Sequence, residues 1–329
     1  MNRVSSRIAA LAALVVLPSC TPEPGELPLP LEVSWATVEG DDRPWTEAVW
    51  LGPVINSAAH ERIPRLSHDG LSLYFHSDRP GGLGGTDLWV SRRTGPGCAW
   101  QSPLNLGLPL NTAAGDGDFA FAPGGRMAFY TSGGHGGFGD TDIFVTHRIG
   151  PAEQELWAEP VNLGPGVNTA AHETSSWYLQ TGPGGGVLYF NRDMDIWSVP
   201  VRRDGSLLGP AAPVTELNLP IADGAVTLGS DGRELIFWSG GAAGLRPGSL
   251  GLADLWISTR PSVTAPWSEP RNLGPTVNGP FPDLFPGLSW DGRTLFFSSQ
   301  RPGGLGRNDL WMSTRAPAGA GPSVEECAA

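Results

Sequence analysis

The sequence predicts an all-β fold, a five-bladed β-propeller, and three observations support this prediction. An Asp-Leu-Trp-like segment recurs at steps of 53 to 59 residues, at Asp87, Asp142, Asp195, Asp254 and Asp309. Each copy follows a polar loop in which an acid comes five residues after an Asn. Each copy also divides into short strand-like runs, and four strands make one propeller blade. A long β-sandwich is the alternative, but it would have no reason to repeat its sequence five times.

The first copy shows how each blade is built. Its strand-like runs cover residues 63–67, 71–77, 87–91 and 100–106. The first two runs are joined by His68-Asp69-Gly70, and an Asp-Gly pair favours a tight hairpin. A Gly-rich loop, RPGGLGG, precedes the third run. We name the four strands A to D, from the channel outwards.

The last copy lacks a strand D, and this absence predicts how the ring closes. After residues 311–315 the chain continues as APAGAGPSVEECAA, with no counterpart of the fourth strand. That counterpart lies at the other end of the propeller sequence, at residues 45–52. Pairing the two ends would hide strand edges that an open ring leaves exposed. We therefore expect residues 45–52 to be the outer strand of blade 5.

The turn between strands A and B carries a resemblance to a known family. It reads SHDGLSLYF, GSDGRELIF and SWDGRTLFF in blades 1, 4 and 5, whereas blades 2 and 3 keep the turn and lose its Asp. This pattern, followed by Asp-Leu-Trp, resembles the WD40-like β-propeller repeat of the TolB type over residues 45–315. The resemblance implies a propeller. Its members serve as envelope scaffolds, as accessory modules and, less often, as enzyme domains.

The N-terminus predicts export. Residues 1–19 combine two Arg residues with an apolar run too short to span a membrane, as in a signal peptide. The following Cys20 resembles the lipidated Cys of a bacterial lipobox, although simple secretion is the alternative. Thr21, in place of an Asp, favours the outer membrane. Residues 20–44 are predicted to be a tether, residues 45–315 the propeller and residues 316–329 a flexible tail.

Composition excludes several functions. The formal net charge is −12, which makes nucleic acid a poor partner. All 21 basic residues are Arg, so a phosphate-binding loop of the Walker type and Schiff-base chemistry are excluded. The six His residues show no paired metal-ligand spacing. We expect no cofactor.

The acid that recurs in each polar loop has two interpretations. These acids are Glu61, Asp116, Glu173, Asp223 and Asp283, and the Asn residues that precede them are Asn56, Asn111, Asn168, Asn218 and Asn278. A role needed in every blade favours capping of backbone N–H groups in the interblade turn. Cation binding at the channel mouth is the weaker alternative.

Ligand binding is predicted at positions that break the repeat. We call the side of the D-to-A and B-to-C loops the D–A face, and the opposite side the A–B face. The candidates on the D–A face are Arg62, Arg65, Asp118, Trp177 and Arg246. Trp177 is the foremost of them, because an exposed aromatic ring can stack on a sugar or anchor a peptide. Alternatively, Trp177 plugs the channel.

These features predict a non-catalytic, monomeric lipoprotein of the bacterial cell envelope, anchored by lipid alone, whose propeller binds an envelope protein or a glycan. The alternative is a glycan-processing hydrolase related to five-bladed glycosidases. Such enzymes need several converging carboxylates. Only Asp118 is acidic among the ten positions expected to face the channel.

We predict that Cys98 and Cys327 form a disulfide. Cysteines of exported proteins pair in oxidising compartments, and Cys20 is assigned to the lipid. The bond would close a loop of about 230 residues and stabilise the chain by roughly 5 kcal/mol at most. Peptide mapping of the unreduced, mature protein should recover the linked pair. Alkylation of both thiols without reduction would refute the pairing.

Overall fold

The computed structural model describes residues 43–315. The predicted signal peptide, Cys20, Cys327 and the tail, as well as most of the tether, lie outside these residues. No helix within the described range is long and apolar enough to cross a membrane. Cys98 is disulfide-bonded. Because both other cysteines lie outside the described residues, its pairing with Cys327 stays a prediction.

Twenty strands of residues 43–315 form five antiparallel sheets of four strands each, which confirms the predicted five-bladed propeller. Blade 1 contains β2 (Glu61–Leu66), β3 (Ser72–Ser77), β4 (Asp87–Arg92) and β5 (Leu104–Asn105). Blade 2 contains β6 (Asp116–Phe121), β7 (Met127–Ser132), β8 (Asp142–His147) and β9 (Val161–Asn162). Blade 3 contains β10 (Glu173–Gly182), β11 (Gly185–Arg192), β12 (Asp195–Arg202) and β13 (Ala212–Pro213). Blade 4 contains β14 (Asp223–Leu228), β15 (Glu234–Gly240), β16 (Ala253–Thr259) and β17 (Arg271–Asn272). Blade 5 contains β18 (Asp283–Leu288), β19 (Thr294–Ser299), β20 (Asp309–Thr314) and β1 (Val49–Trp50).

The ring closes through β1, as the sequence predicts. β1 lies antiparallel to β20, with Val49 opposite Met312 and Trp50 opposite Trp311. The pairing extends beyond the strand itself, because the Thr46 amide donates to the Thr314 carbonyl over 2.8 Å. Blade 5 is thus assembled from both ends of the described chain.

The core lies between the blades. Five buried hydrophobic clusters are formed by the described residues, and each draws on two neighbouring blades. Phe75 and Trp89 of blade 1, for example, pack with Phe296 and Leu310 of blade 5. Alternating side chains on each strand make this possible, since successive residues point to opposite faces of the sheet. No blade can bury its apolar faces alone, so the fold depends on a closed ring.

The recurring Asn residues join each blade to the next. In every case the partner is the residue that directly follows the Asp of an Asp-Leu-Trp-like segment. The Asn side-chain oxygen accepts a hydrogen bond from the backbone N–H of that residue, and the Asn side-chain nitrogen donates one to its carbonyl. The pairs are Asn56 with Leu310, Asn111 with Leu88, Asn168 with Ile143, Asn218 with Ile196, and Asn278 with Leu255. These bonds satisfy buried backbone groups at the edge of a blade, where sheet pairing cannot reach.

The recurring acids also belong to this framework. Each carboxylate accepts the backbone N–H of the residue that follows the Asn, at Ser57, Thr112, Thr169, Leu219 and Gly279. In four blades an Arg completes the pair, as Arg79 with Glu61, Arg192 with Glu173, Arg246 with Asp223 and Arg301 with Asp283. Within residues 43–315 no group of three potential ligands could hold a metal ion.

Deleting residues 45–52 should abolish cooperative unfolding and yield an aggregating chain, because blade 5 would lose its outer strand and expose the edge of β20. Chemical denaturation followed by tryptophan fluorescence would measure this. Val49→Ser is the control, since Val49 is 54% exposed and the strand pairs through its backbone. A deletion variant that unfolds like the wild type would contradict the role assigned to closure.

Candidate functional site

The channel wall is formed by the inner strand of each blade, and all five inner strands share one irregularity. The pairing of strands A and B shifts register two residues after the recurring acid, where one extra residue is inserted. That residue has a positive φ of 43° to 54° at Ile63, Asp118, Ser175, Ala225 and Phe285. Such a conformation is strained for residues other than glycine. Its presence in every blade shows that it belongs to the propeller geometry.

Arg65 lies on the channel axis. Its side chain is only 2% exposed. The residues at the equivalent position of the other four blades are small or apolar. The guanidinium approaches carbonyl oxygens of four blades, namely Pro64 (3.3 Å), Pro286 (2.7 Å), Ser176 (3.5 Å) and Val226 (3.5 Å). It also lies 5.1 Å from the centre of the Trp177 ring. Burial lowers the pKa of Arg65, while the neighbouring Asp118 raises it.

Asp118 is the acidic partner of Arg65. Its Oδ1 lies 3.3 Å from the Arg65 Nη2, and its side chain is fully buried. Neither carboxylate oxygen makes a hydrogen bond of good geometry within the described residues. Burial raises the pKa of Asp118 to about 6, and the charge of Arg65 opposes that rise. Asp118 can therefore carry a proton close to neutral pH, which an ordinary Asp cannot do.

The D–A mouth of the channel carries a polar cluster beside blade 1. Arg62 Nη2 lies 3.1 Å from His60 Nδ1, and the His60 amide donates to Asp78 over 2.7 Å. His76 packs against Gly117 of blade 2, where a Cβ would come within 2.3 Å of its Nδ1. Burial, together with the charge of Arg62, lowers the pKa of His76 to about 3. His76 is therefore a neutral imidazole at physiological pH.

Sequence reasoning did not select His76 as a channel residue. Its side chain lies on strand B, and the sequence expectation considered only strand A. The signal was present nonetheless, because His76 is paired with Arg62 across the sheet and the other blades have Thr131, Asn191, Trp238 and Ser298 at that position. The same variation between blades identifies the ligand-binding candidates on strand A.

A small cavity lies at the A–B mouth of the channel. Its volume is about 40 Å³, which is room for very few water molecules, and it is lined by residues of all five blades. Arg65 and Trp177 both line it. Trp177 therefore opens towards the A–B face, whereas the sequence placed it on the D–A face.

Arg65 brings three of the five predicted ligand-binding residues together, because its guanidinium lies 3.3 Å from Asp118 and 5.1 Å from the centre of the Trp177 ring. Arg62 lies at the D–A mouth, Arg65 and Asp118 lie on the axis, and Trp177 lies towards the A–B mouth. The expected position of Arg246 is corrected as well. It is 4% exposed and pairs with Asp223 over 3.0 Å, because it is the framework Arg of blade 4.

The sequence contained the signal that identifies Arg246 as a framework residue. Its Arg-Pro-Gly context is shared with Arg79 and Arg301, whose guanidinium groups make the same contact with the acids of their own blades. The match is difficult to recognise in the sequence, because the insertion in the long loop of blade 4 changes the spacing between Arg246 and the preceding strand.

Comparison with known proteins establishes the fold. No protein-family profile and no curated protein matches this sequence. Among solved structures, the catalytic domain of a GH62 α-L-arabinofuranosidase from Coprinopsis cinerea is similar, with 14% identity, 83% of this chain and 97% of that chain covered, and a TM-score of 0.52. A native arabinanase of Bacillus subtilis has 13% identity, 80% and 96% coverage, and a TM-score of 0.53. A thermostable family-43 glycoside hydrolase has 12% identity, 84% and 100% coverage, and a TM-score of 0.52.

These comparisons correct two expectations. The five-bladed propeller that the TolB-type resemblance implies is confirmed. The repeat family itself is not supported, because no family profile matches. The expectation of a non-catalytic, partner-binding propeller is wrong, because the solved structures named above are glycoside hydrolases.

Asp118 predicts a specific pH dependence of stability. Its pKa is raised in the folded protein, so the stabilisation from its bound proton is present below pH 4 and is lost as the pH rises towards 6. Relative to Asp118→Asn, the wild type should lose roughly 3 kcal/mol of unfolding free energy across that window. Urea denaturation of both proteins between pH 4 and pH 7 would measure the difference. Parallel pH profiles would contradict the assigned pKa.

Proposed function

We propose that this propeller is a glycan-processing hydrolase in which Asp118 donates the catalytic proton. The observation that carries the proposal is the position of Asp118, a fully buried carboxyl group in the channel 3.3 Å from Arg65, where burial raises its pKa to about 6. Hydrolysis of a glycosidic bond needs an acid that is still protonated near neutral pH. The five-bladed scaffold, which this chain shares with glycoside hydrolases, supports the same assignment.

The reaction breaks the bond between the sugar carbon and the leaving oxygen and adds water across it. Asp118 would protonate the leaving oxygen, and a second carboxylate would take a proton from the attacking water or attack the sugar itself. Among the described residues Asp78 is the candidate for this second role. It lies in the cluster at the D–A mouth, where its charge acts on Arg62 and His76.

Arg65 has a positioning role in this proposal. It holds the Asp118 carboxyl from the axis and fills the channel below it. A substrate would then approach from the D–A mouth, where the side chains of Arg62, His76 and Phe285 are partly exposed. Because Arg65 closes the A–B side of the site, water would be excluded from it. Exclusion of water strengthens the electrostatic interactions within the site.

The substrates to test first are pentose glycans, because the similar structures are named as arabinofuranosidases, an arabinanase and a xylosidase. Lipidation at Cys20, location in the outer membrane and a monomeric state remain proposals. Together they would place the reaction at the cell envelope.

Activity should depend on Asp118. The full-length protein should release sugar from linear arabinan, arabinoxylan or the matching nitrophenyl pentosides, and Asp118→Asn should lower kcat/KM by at least about 100-fold. Asp78→Asn should lower it as well, and the alkaline limb of the wild-type pH profile should lie near pH 6. Reducing-sugar release and nitrophenol absorbance are the measurements.

The matched control is Asp231→Asn. Asp231 is an exposed carboxylate in the A–B turn of blade 4, where it accepts the Arg233 amide, and this variant should keep full activity. Absence of hydrolysis by a folded wild type on the whole panel, or equal activity of Asp118→Asn, would defeat the proposal.

A further inference from the structure

The A–B face carries three cavities that meet at one turn of blade 1. A groove of about 390 Å³ runs between blades 1 and 2, and another of about 310 Å³ runs between blades 1 and 5. The small axial cavity lies between them. His68 lines all three, and Asp69 lines both grooves. The concave surface is thus continuous from blade 2, past the channel mouth, to blade 5.

Two exposed rings stand where the cavities meet. Trp290 of blade 5 is 41% exposed, and its ring centre lies 4.2 Å from that of His68, with an angle of 56° between the planes. Both residues occupy the second position of an A–B turn. The same position holds Pro123 in blade 2 and Ser230 in blade 4, so the propeller itself does not need a ring there.

The geometry of these turns is supplied by other residues. In blade 5, Asp291 Oδ1 accepts the Ser289 hydroxyl over 2.6 Å and the Arg293 amide over 3.0 Å. In blade 1, Asp69 Oδ1 accepts the Ser67 hydroxyl and the Leu71 amide in the same way. His68 and Trp290 have no part in these bonds. A single exposed ring would need no explanation, but an indole paired with a second ring above a continuous groove forms a candidate contact surface.

The polar groups around the rings indicate the ligand. Only the Oδ1 atoms of Asp69 and Asp291 accept hydrogen bonds in their turns, and Asp291 Oδ2 lies in a loose, exposed ion pair with Arg293 Nε over 4.0 Å, so both carboxylates can still accept a ligand hydroxyl. Arg126, an exposed residue, lines the groove beside blade 2. A flat ring flanked by acceptors and a donor suits a sugar, whose C–H face stacks on the ring while its hydroxyls bond to either side. The grooves carry both signs of charge, with Arg93 and Arg126 beside Asp69 and Asp291, so they favour a neutral chain over a strongly charged one.

We infer that the A–B face is a second glycan site, which holds a neutral polysaccharide chain across Trp290 and His68 without cleaving it. This inference rests on the proposed function, because it makes the substrate a polymer that is held at two places. In the proposed mechanism the substrate reaches Asp118 from the D–A mouth, and Arg65 fills the axis between the two faces. The two sites therefore act on separate stretches of the polymer.

Affinity electrophoresis and calorimetry of the full-length protein with linear arabinan and arabinoxylan test this inference. Trp290→Ala should weaken binding at least tenfold, and His68→Ala should weaken it less. Phe138→Ala is the matched control, because Phe138 is a 50% exposed ring in a B-to-C loop on the opposite face. Trp290→Ala should also lower polymer hydrolysis while its kcat/KM on nitrophenyl pentosides stays unchanged.

The outcomes separate this site from the proposed activity. Binding that depends on Trp290, in a protein that hydrolyses nothing, would support the second site and defeat the catalytic proposal. Hydrolysis with equal polymer binding by the wild type and Trp290→Ala would overturn the second site alone. A wild type that binds neither polysaccharide would overturn it as well, and capture of peptides by the same face would identify a different ligand class.

Discussion

The contact on which the channel depends is the buried ion pair of Arg65 with Asp118. The pair lies on the axis, where inner strands of all five blades converge, and the guanidinium reaches carbonyl oxygens in four of them. A buried charge without such partners would cost several kcal/mol. Arg65 thus serves as the hub that separates the two mouths, while burial raises the pKa of Asp118 against the charge of Arg65.

The repeated framework makes such a hub possible. Asn residues, acids and Arg residues satisfy the backbone between blades in the same way around the ring. Those polar residues are committed to the fold, since each recurring acid accepts a backbone N–H of its own loop. Residues that differ between blades are free for other tasks, and they gather at the axis, at the D–A mouth and at the A–B face.

Most of the fold followed from the sequence, but much of the site did not. Blade count and closure were predictable because turn residues and apolar alternation recur at a constant spacing. The directions of the Arg65 and Trp177 side chains could not be predicted, because the bulge on each inner strand shifts the register by one residue. A shift of one residue moves a side chain to the opposite face of the sheet. The pKa of Asp118 depends on its burial beside residues of other blades, among them Arg65 and Ser176, and no local pattern encodes such contacts. Arg246 was the exception, since its Arg-Pro-Gly context already marked it as framework.

The most direct test of this account is the titration of Asp118 itself in the full-length protein. Carboxyl carbon NMR of protein labelled at Asp, with the signal assigned by its absence from Asp118→Asn, would follow that single group. The account predicts a midpoint near pH 6, because burial outweighs the charge of Arg65. A midpoint near 4, the ordinary value for Asp, would show that the channel does not shield the carboxyl group and would contradict the account.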